Sequence, residues 1–164
     1  MTQLRINILR EALAEMGKLE QEYIQFFPRY ADNLIVKLGE YLGDPLAVRL
    51  SNNNNDYNFE ENYRHQGLGL ENGQYRIPIQ IKIRNLTGNS YFQLKVILFC
   101  TKESEQLNIR INDEIGINTQ TDDFDRVCES IYSYLTKFFS KESWFQSSHY
   151  NGGSFGFVVE KQTL

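Results

Sequence analysis

Leu68-Gly69-Leu70-Glu71-Asn72-Gly73-Gln74-Tyr75-Arg76-Ile77-Pro78-Ile79-Gln80-Ile81-Lys82-Ile83-Arg84 is the stretch on which the fold turns. After Asn72-Gly73, Tyr75, Ile77, Ile79, Ile81 and Ile83 recur at every second position. Strict alternation marks a strand with one buried and one wet face. An Asn-Gly pair tolerates positive φ at both positions, so it predicts a tight hairpin entering that strand. Pro78 has no N–H to give a ladder, which predicts an edge position or a bulge there.

Downstream, the same period continues. Phe92, Leu94, Val96, Leu98 and Cys100 predict a strand after a turn at 85–89, and Leu107, Ile109 and Ile111 predict another. Asn112-Asp113 then turns the chain into Ile115 and Ile117. Connections this short force antiparallel pairing. At Thr121-Asp122-Asp123 side-chain oxygens suit a helix start, and Phe124, Val127, Cys128, Ile131, Leu135, Phe138 and Phe139 form a wide apolar stripe. The pattern predicts a helix over 121–143 laid across the sheet. Phe155, Phe157 and Val159 predict a short final strand over 155–161, with Gly156 at a crowded point or bulge.

Upstream, Leu46, Val48 and Leu50 alternate after Pro45 and predict a first strand. Leu4, Ile8, Leu9, Ala12, Met16, Leu19 and Tyr23 recur at helical spacing. Pro28 suits the first turn of a second helix carrying Leu34, Ile35, Leu38, Tyr41 and Leu42, which Gly43-Asp44-Pro45 ends. The expectation is a helical hairpin over 1–43, strands over 45–119 interrupted by a polar loop at 51–66, and then the late helix and final strand. Together these make one α+β domain over 1–164, with an antiparallel sheet of about five to seven strands.

Composition narrows the setting. A chain of 164 residues is long enough for one substantial core and short for two. Its 41% apolar content separates it from disordered sequences. Cys100 and Cys128 both fall in phase with core residues, which predicts buried free thiols in a reducing compartment. Charge interrupts the N-terminal residues too early for a signal peptide, and no apolar run reaches membrane-spanning length. A cytoplasmic protein without membrane partners is expected.

The formal charge of −4 argues against a globally basic, nucleic-acid-gripping surface but leaves room for a local one. The residues out of phase with the buried strand positions are Arg49, Arg76, Gln80, Lys82, Arg84, Gln93, Lys95, Asn108 and Arg110. Six are cations, against one carboxylate of matching phase, Glu114. A regular pleat would gather them into a basic sheet face suited to phosphates or to an acidic partner. The plainer alternative is that long basic side chains merely solvate the sheet and discourage edge pairing.

Residues 51–66, SNNNNDYNFEENYRHQ, carry Tyr57, Phe59, Tyr63, Arg64 and His65 among carboxylates. Interleaved aromatic and charged residues on a loop suit macromolecular contact as well as plain solvation. An enzyme alternative would draw on Asp56, Glu60, Glu61, His65 and Lys82, with His149, as a metal-assisted nuclease or hydrolase. Gln80-Ile81-Lys82 resembles, over three residues, the lysine-bearing half of Mg-dependent nucleases of the restriction-endonuclease type, with Gln80 standing where that motif has an acid.

Asn52, Asn54, Asp56 and Asn58 alternate as in a calcium loop but lack its central glycine and terminal glutamate. Gly152-Gly153-Ser154-Phe155-Gly156 lacks the lysine–hydroxyl pair of a phosphate loop. No cofactor and no structural metal are expected. What remains is a binding protein that meets a macromolecular partner through the basic face and residues 51–65, a protein partner first and nucleic acid second. A homo-oligomer completed at a sheet edge is compatible with the same pattern.

Overall fold

The computed structural model describes residues 2–51, 67–84, 86–88, 90–112, 114, 116–140 and 159–163. Helix α1 (Thr2–Leu42) precedes strands β1 (Val48–Leu50), β2 (Gly69–Glu71), β3 (Gln74–Arg84), β4 (Ser90–Glu103), β5 (Gln106–Ile111) and β6 (Ile117–Gln120). Helix α2 (Phe124–Phe138) and strand β7 (Val159–Thr163) complete the described elements. All pairings are antiparallel, so the α+β class holds.

Two long strands make the spine. β3 and β4 pair from Tyr75↔Cys100 to Arg84↔Tyr91. β1 and β2 share the outer edge of β3, β5 and β7 share the outer edge of β4, and β6 extends β5. The hairpin forms as read: Asn72 and Gly73 both have positive φ, at 52° and 77°, joining Glu71 to its partner Gln74.

Each spine strand passes a gap between its two outer neighbours, and the gaps fall in one row, Pro78↔Ile97. On the β3 side, β1 pairs with Ile79–Ile81 and β2 with Gln74–Arg76, so the missing N–H of Pro78 falls where no strand is present to accept it. The Pro78 carbonyl accepts from Ser51 N–H at 2.9 Å. Pro78 therefore occupies an edge-like site inside a spine strand. On the β4 side Asn112 fills the gap. Its N–H donates to the Ile97 carbonyl at 2.8 Å, and its Oδ1 accepts from Ile97 N–H at 2.9 Å. The side-chain oxygen replaces the backbone acceptor that the chain withdraws by turning at φ 49°.

Both helices cover one face of the sheet. Ile77, Ile79, Ile81, Leu94, Val96, Leu98, Cys100 and Ile109 are fully buried beneath Phe27, Leu34 and Leu38 of α1 and Val127 and Ile131 of α2. Phe27 stacks on Tyr75 at 4.7 Å, and Tyr30 stacks on Phe124 at 5.1 Å. Tyr23 Oη accepts from Lys102 N–H at 2.8 Å and donates to Lys102 carbonyl at 3.2 Å, which pins α1 to β4. Asp123 caps α2 by accepting from Arg126 N–H, as its position suggested. Cys100 and Cys128 are buried free thiols.

Four details differ from the sequence reading. The helical hairpin over 1–43 is a single helix, with Pro28 inside it. Pro28 removes one intrahelical donor, yet Tyr23, Phe27, Tyr30, Ala31, Leu34 and Leu38 form one continuous buried stripe across it, and that packing outweighs the local break. The C-terminal end is as expected: Asp44 N–H bonds the Gly39 carbonyl and Gly43 N–H the Glu40 carbonyl, with Gly43 at φ 77°.

Leu46 does not join β1 and is 94% exposed, because the turn after Gly43 delays the strand until Val48 and brings Ala47 into the core. The late helix is shorter than 121–143 and stops at Phe138, where Phe139 takes the C-cap. The final strand lies at Val159–Thr163, and positions 155–158 of its expected span fall outside the described residues.

Candidate functional site: the basic sheet face

The face of the sheet turned away from the helices is set by register. Neighbouring Cα partners share a face, so the pairings read out its rows directly. Arg84 lies beside Tyr91, and Lys82 beside Gln93. Arg49, Gln80 and Lys95 form the next row, and Arg76, Phe99 and Arg110 another. Thus Arg49, Arg76, Lys82, Arg84, Lys95 and Arg110 all stand on one side of the sheet. Strand geometry spreads them over roughly 27 Å along β3 and about 14 Å across four strands.

Four of these side chains are held by neighbours. Arg49 Nε donates to Gln80 Oε1 at 2.8 Å. Arg76 Nη1 donates to the Gly67 carbonyl at 3.1 Å, and its Nε lies 3.6 Å from Glu71 Oε2. Arg110 Nη2 donates to Gln74 Oε1 at 3.1 Å while its guanidinium covers the Phe99 ring at 4.8 Å. Lys82 Nζ sits 3.9 Å above the Tyr91 ring centroid. The Glu71 carboxylate offsets part of the Arg76 charge, whereas the ring contact of Lys82 and the amide and ring contacts of Arg110 orient cations without neutralising them. Among the described residues, no carboxylate pairs with Lys82, Arg84 or Lys95. Partial burial pushes the Lys95 ammonium below its ordinary value, and the nearby Arg76 charge pushes the same way.

Sequence reasoning missed several members of this face. Tyr91 and Phe99 are aromatic, yet their parity places them with Gln93 and Lys95 rather than with Leu94 and Leu98. That parity was the available signal. Glu71 reaches Arg76 only because the hairpin turns back on itself, which spacing alone does not reveal. Glu114, expected among the cations, instead lines a cleft of about 360 Å³ with Glu129, Tyr134 and Lys137. The turn after Asn112 carries it toward α2.

Tyr57, Phe59, Tyr63, Arg64 and His65 lie outside the described residues, as do Asp56, Glu60, Glu61 and His149 of the enzyme alternative. The flanking residues of the 52–66 segment are described. Ser51 and Gly67 meet beside Pro78, so closely that a Cβ on Gly67 would clash with the Ser51 carbonyl oxygen and with Pro78 Cγ. Both sit at the middle of the basic face, in the row of Pro78 and Ile97.

For chemistry, the described residues offer little beyond charge. No group of three or more His, Cys, Asp or Glu among them is placed to hold a metal ion. Burial pushes the Cys100 thiol up, and burial with the nearby Asp125 pushes Cys128 up to about 11. Both stay protonated at neutral pH and are poor nucleophiles. No described helix is long and apolar enough to cross a membrane. Comparison with protein-family models, with curated proteins and with solved structures gives no match.

Proposed function

We propose that this protein is a non-enzymatic binding domain whose basic sheet face takes an acidic protein partner, with the 51–65 segment contributing beside it. One observation carries the reading: six cations share one face of an antiparallel sheet in a chain of net charge −4. Segregated charge of this kind steers and orients a partner of opposite sign. Three of the six are arginines oriented by neighbouring oxygens, and the planar guanidinium group suits paired contacts with carboxylates.

Single-stranded nucleic acid is the competing occupant, since Tyr91 and Phe99 lie among the cations. Base stacking needs open ring faces. Here Lys82 covers Tyr91 and Arg110 covers Phe99, so a base would first have to displace a cation. That favours carboxylate pairing over stacking. Free buried thiols support placing the protein in the reducing cytoplasm.

The test is retention of cell proteins on immobilised wild-type protein and on Lys82→Glu/Arg84→Glu, with and without nuclease and across a salt series. An acidic protein held by the wild type, insensitive to nuclease, released by salt and lost with the double variant is the expected outcome. Retention that survives charge reversal sinks the reading. Nuclease-sensitive retention transfers the face to nucleic acid.

A further inference from the structure

Every residue from 3 to 22 of α1 is exposed, and burial begins only at Tyr23. The first half of the helix is therefore an arm of about 31 Å at 1.5 Å per residue. Its surface is not that of a solvated helix. Leu4, Ile6, Ile8, Leu9, Leu13, Met16 and Leu19 are each between 43% and 65% exposed. With Leu9 and Met16 at position a of a heptad, Ala12 and Leu19 take d, Ile6 and Leu13 take e, and Ile8 takes g. The same frame brings Tyr23 to a, so the apolar stripe of the arm runs straight into the one buried against the sheet.

We infer that this arm pairs with the arm of a second copy of the chain, in antiparallel orientation. Charge decides both the occupant and the direction. Residues 2–10 carry Arg5 and Arg10 and no acid, whereas residues 11–22 carry Glu11, Glu15, Glu20 and Glu22 against the single Lys18. In a parallel pair Glu15 at g would face Glu20 at e of the other copy, and the acidic halves would lie together. Antiparallel pairing sets each basic half against an acidic half and opposes the helix dipoles.

The area also suffices. Leu4 falls at c, off this seam. A fully exposed Leu, Ile or Met offers roughly 100 Å² of apolar surface on the usual transfer scale, so the other six at these exposures give about 330 Å² per copy. Doubled and joined by the flanking polar atoms, this comes to about 1,000 Å², the area a specific interface has to reach. The arm and the basic sheet face are separate surfaces, so one reading can fail without the other.

The test is sedimentation equilibrium of the full chain across the micromolar range, beside Leu9→Glu/Met16→Glu. The wild type is expected to be a dimer, and the variant is expected to weaken it by roughly 100-fold or more, with the near-ultraviolet circular dichroism of the packed sheet and helices retained because neither side chain touches the core. A monomeric wild type, or a dimer indifferent to the double variant, overturns the inference. Direction is read with a short bis-maleimide, the native thiols being buried. Gln3→Cys should cross-link to Gln21→Cys in a mixture and not to itself. Cross-linking of Gln3→Cys alone overturns the antiparallel pairing.

Discussion

The two faces of the β3–β4 spine are built from alternate residues of the same strands and have opposite characters. Toward the helices, Ile77, Ile79, Ile81, Leu94, Val96 and Leu98 are all fully buried. Toward the other side, Arg76, Lys82, Lys95 and Arg84 stand among glutamines and two aromatics. The apolar face is dictated by the need to remove its surface from water, and almost any branched aliphatic set of the right volume would serve. The cationic face has no such explanation. Crowding like charges on one sheet surface works against folding, and the lowered pKa of Lys95, owed first to partial burial and then to the nearby Arg76 charge, shows its charged form disfavoured there.

The contrast can be broken from either side. Leu98→Ala, at a fully buried site paired with Ile77 and Ile111, should cost about 2–5 kcal/mol in urea unfolding. A loss below about 1 kcal/mol would mean that this face is far less tightly packed than its burial implies. Asn112→Ala removes the acceptor for Ile97 N–H, and with it a donor to Tyr134 Oη, at a left-handed position. It should cost about 1–3 kcal/mol, and hydrogen exchange at Ile97 should rise with it.

Lys95→Gln is expected to act in the opposite direction, stabilising by a few tenths of a kcal/mol at pH 7. The folded ammonium is held below its ordinary value of 10.5, so its charged form detracts from stability below the folded pKa. That penalty fades as pH rises through the folded value toward 10.5, and the gain from Lys95→Gln should fade with it. Unfolding curves taken at pH 7 and above pH 10 check the sign. A variant less stable than the wild type at pH 7 would remove the idea that this face is kept at a cost.

Much of the fold was written in the period of the sequence. Tyr75 to Ile83 and Leu94 to Cys100 carry two-residue alternation, and this fixes which residues turn outward even where strand partners are distant. That is why all six cations were found together. The hairpin at Pro28 was misread because a local rule about proline cannot see that Phe27, Tyr30 and Leu34 share a sheet to pack on. Leu4 to Leu19 look the same in sequence as Tyr23 to Leu38, since periodicity reports an apolar stripe and not what covers it. Tyr91 and Phe99 were passed over for a related reason, as aromatic character masked their parity. Tyr57 to His65 remain an expectation, lying outside the described residues.

The shared outer edge of β4 also bears on the order of assembly. β3 and β4 are joined by a short turn, so they can zip early, whereas β7 returns to Ser90–Leu94 from about 70 residues further along the chain. Until it arrives, the outward-facing N–H and C=O groups of a five-residue stretch of a spine strand, those of every second residue, are open to anything extended. The last strand therefore also acts as a seal, and its lateness leaves a brief period in which another extended segment can take its place.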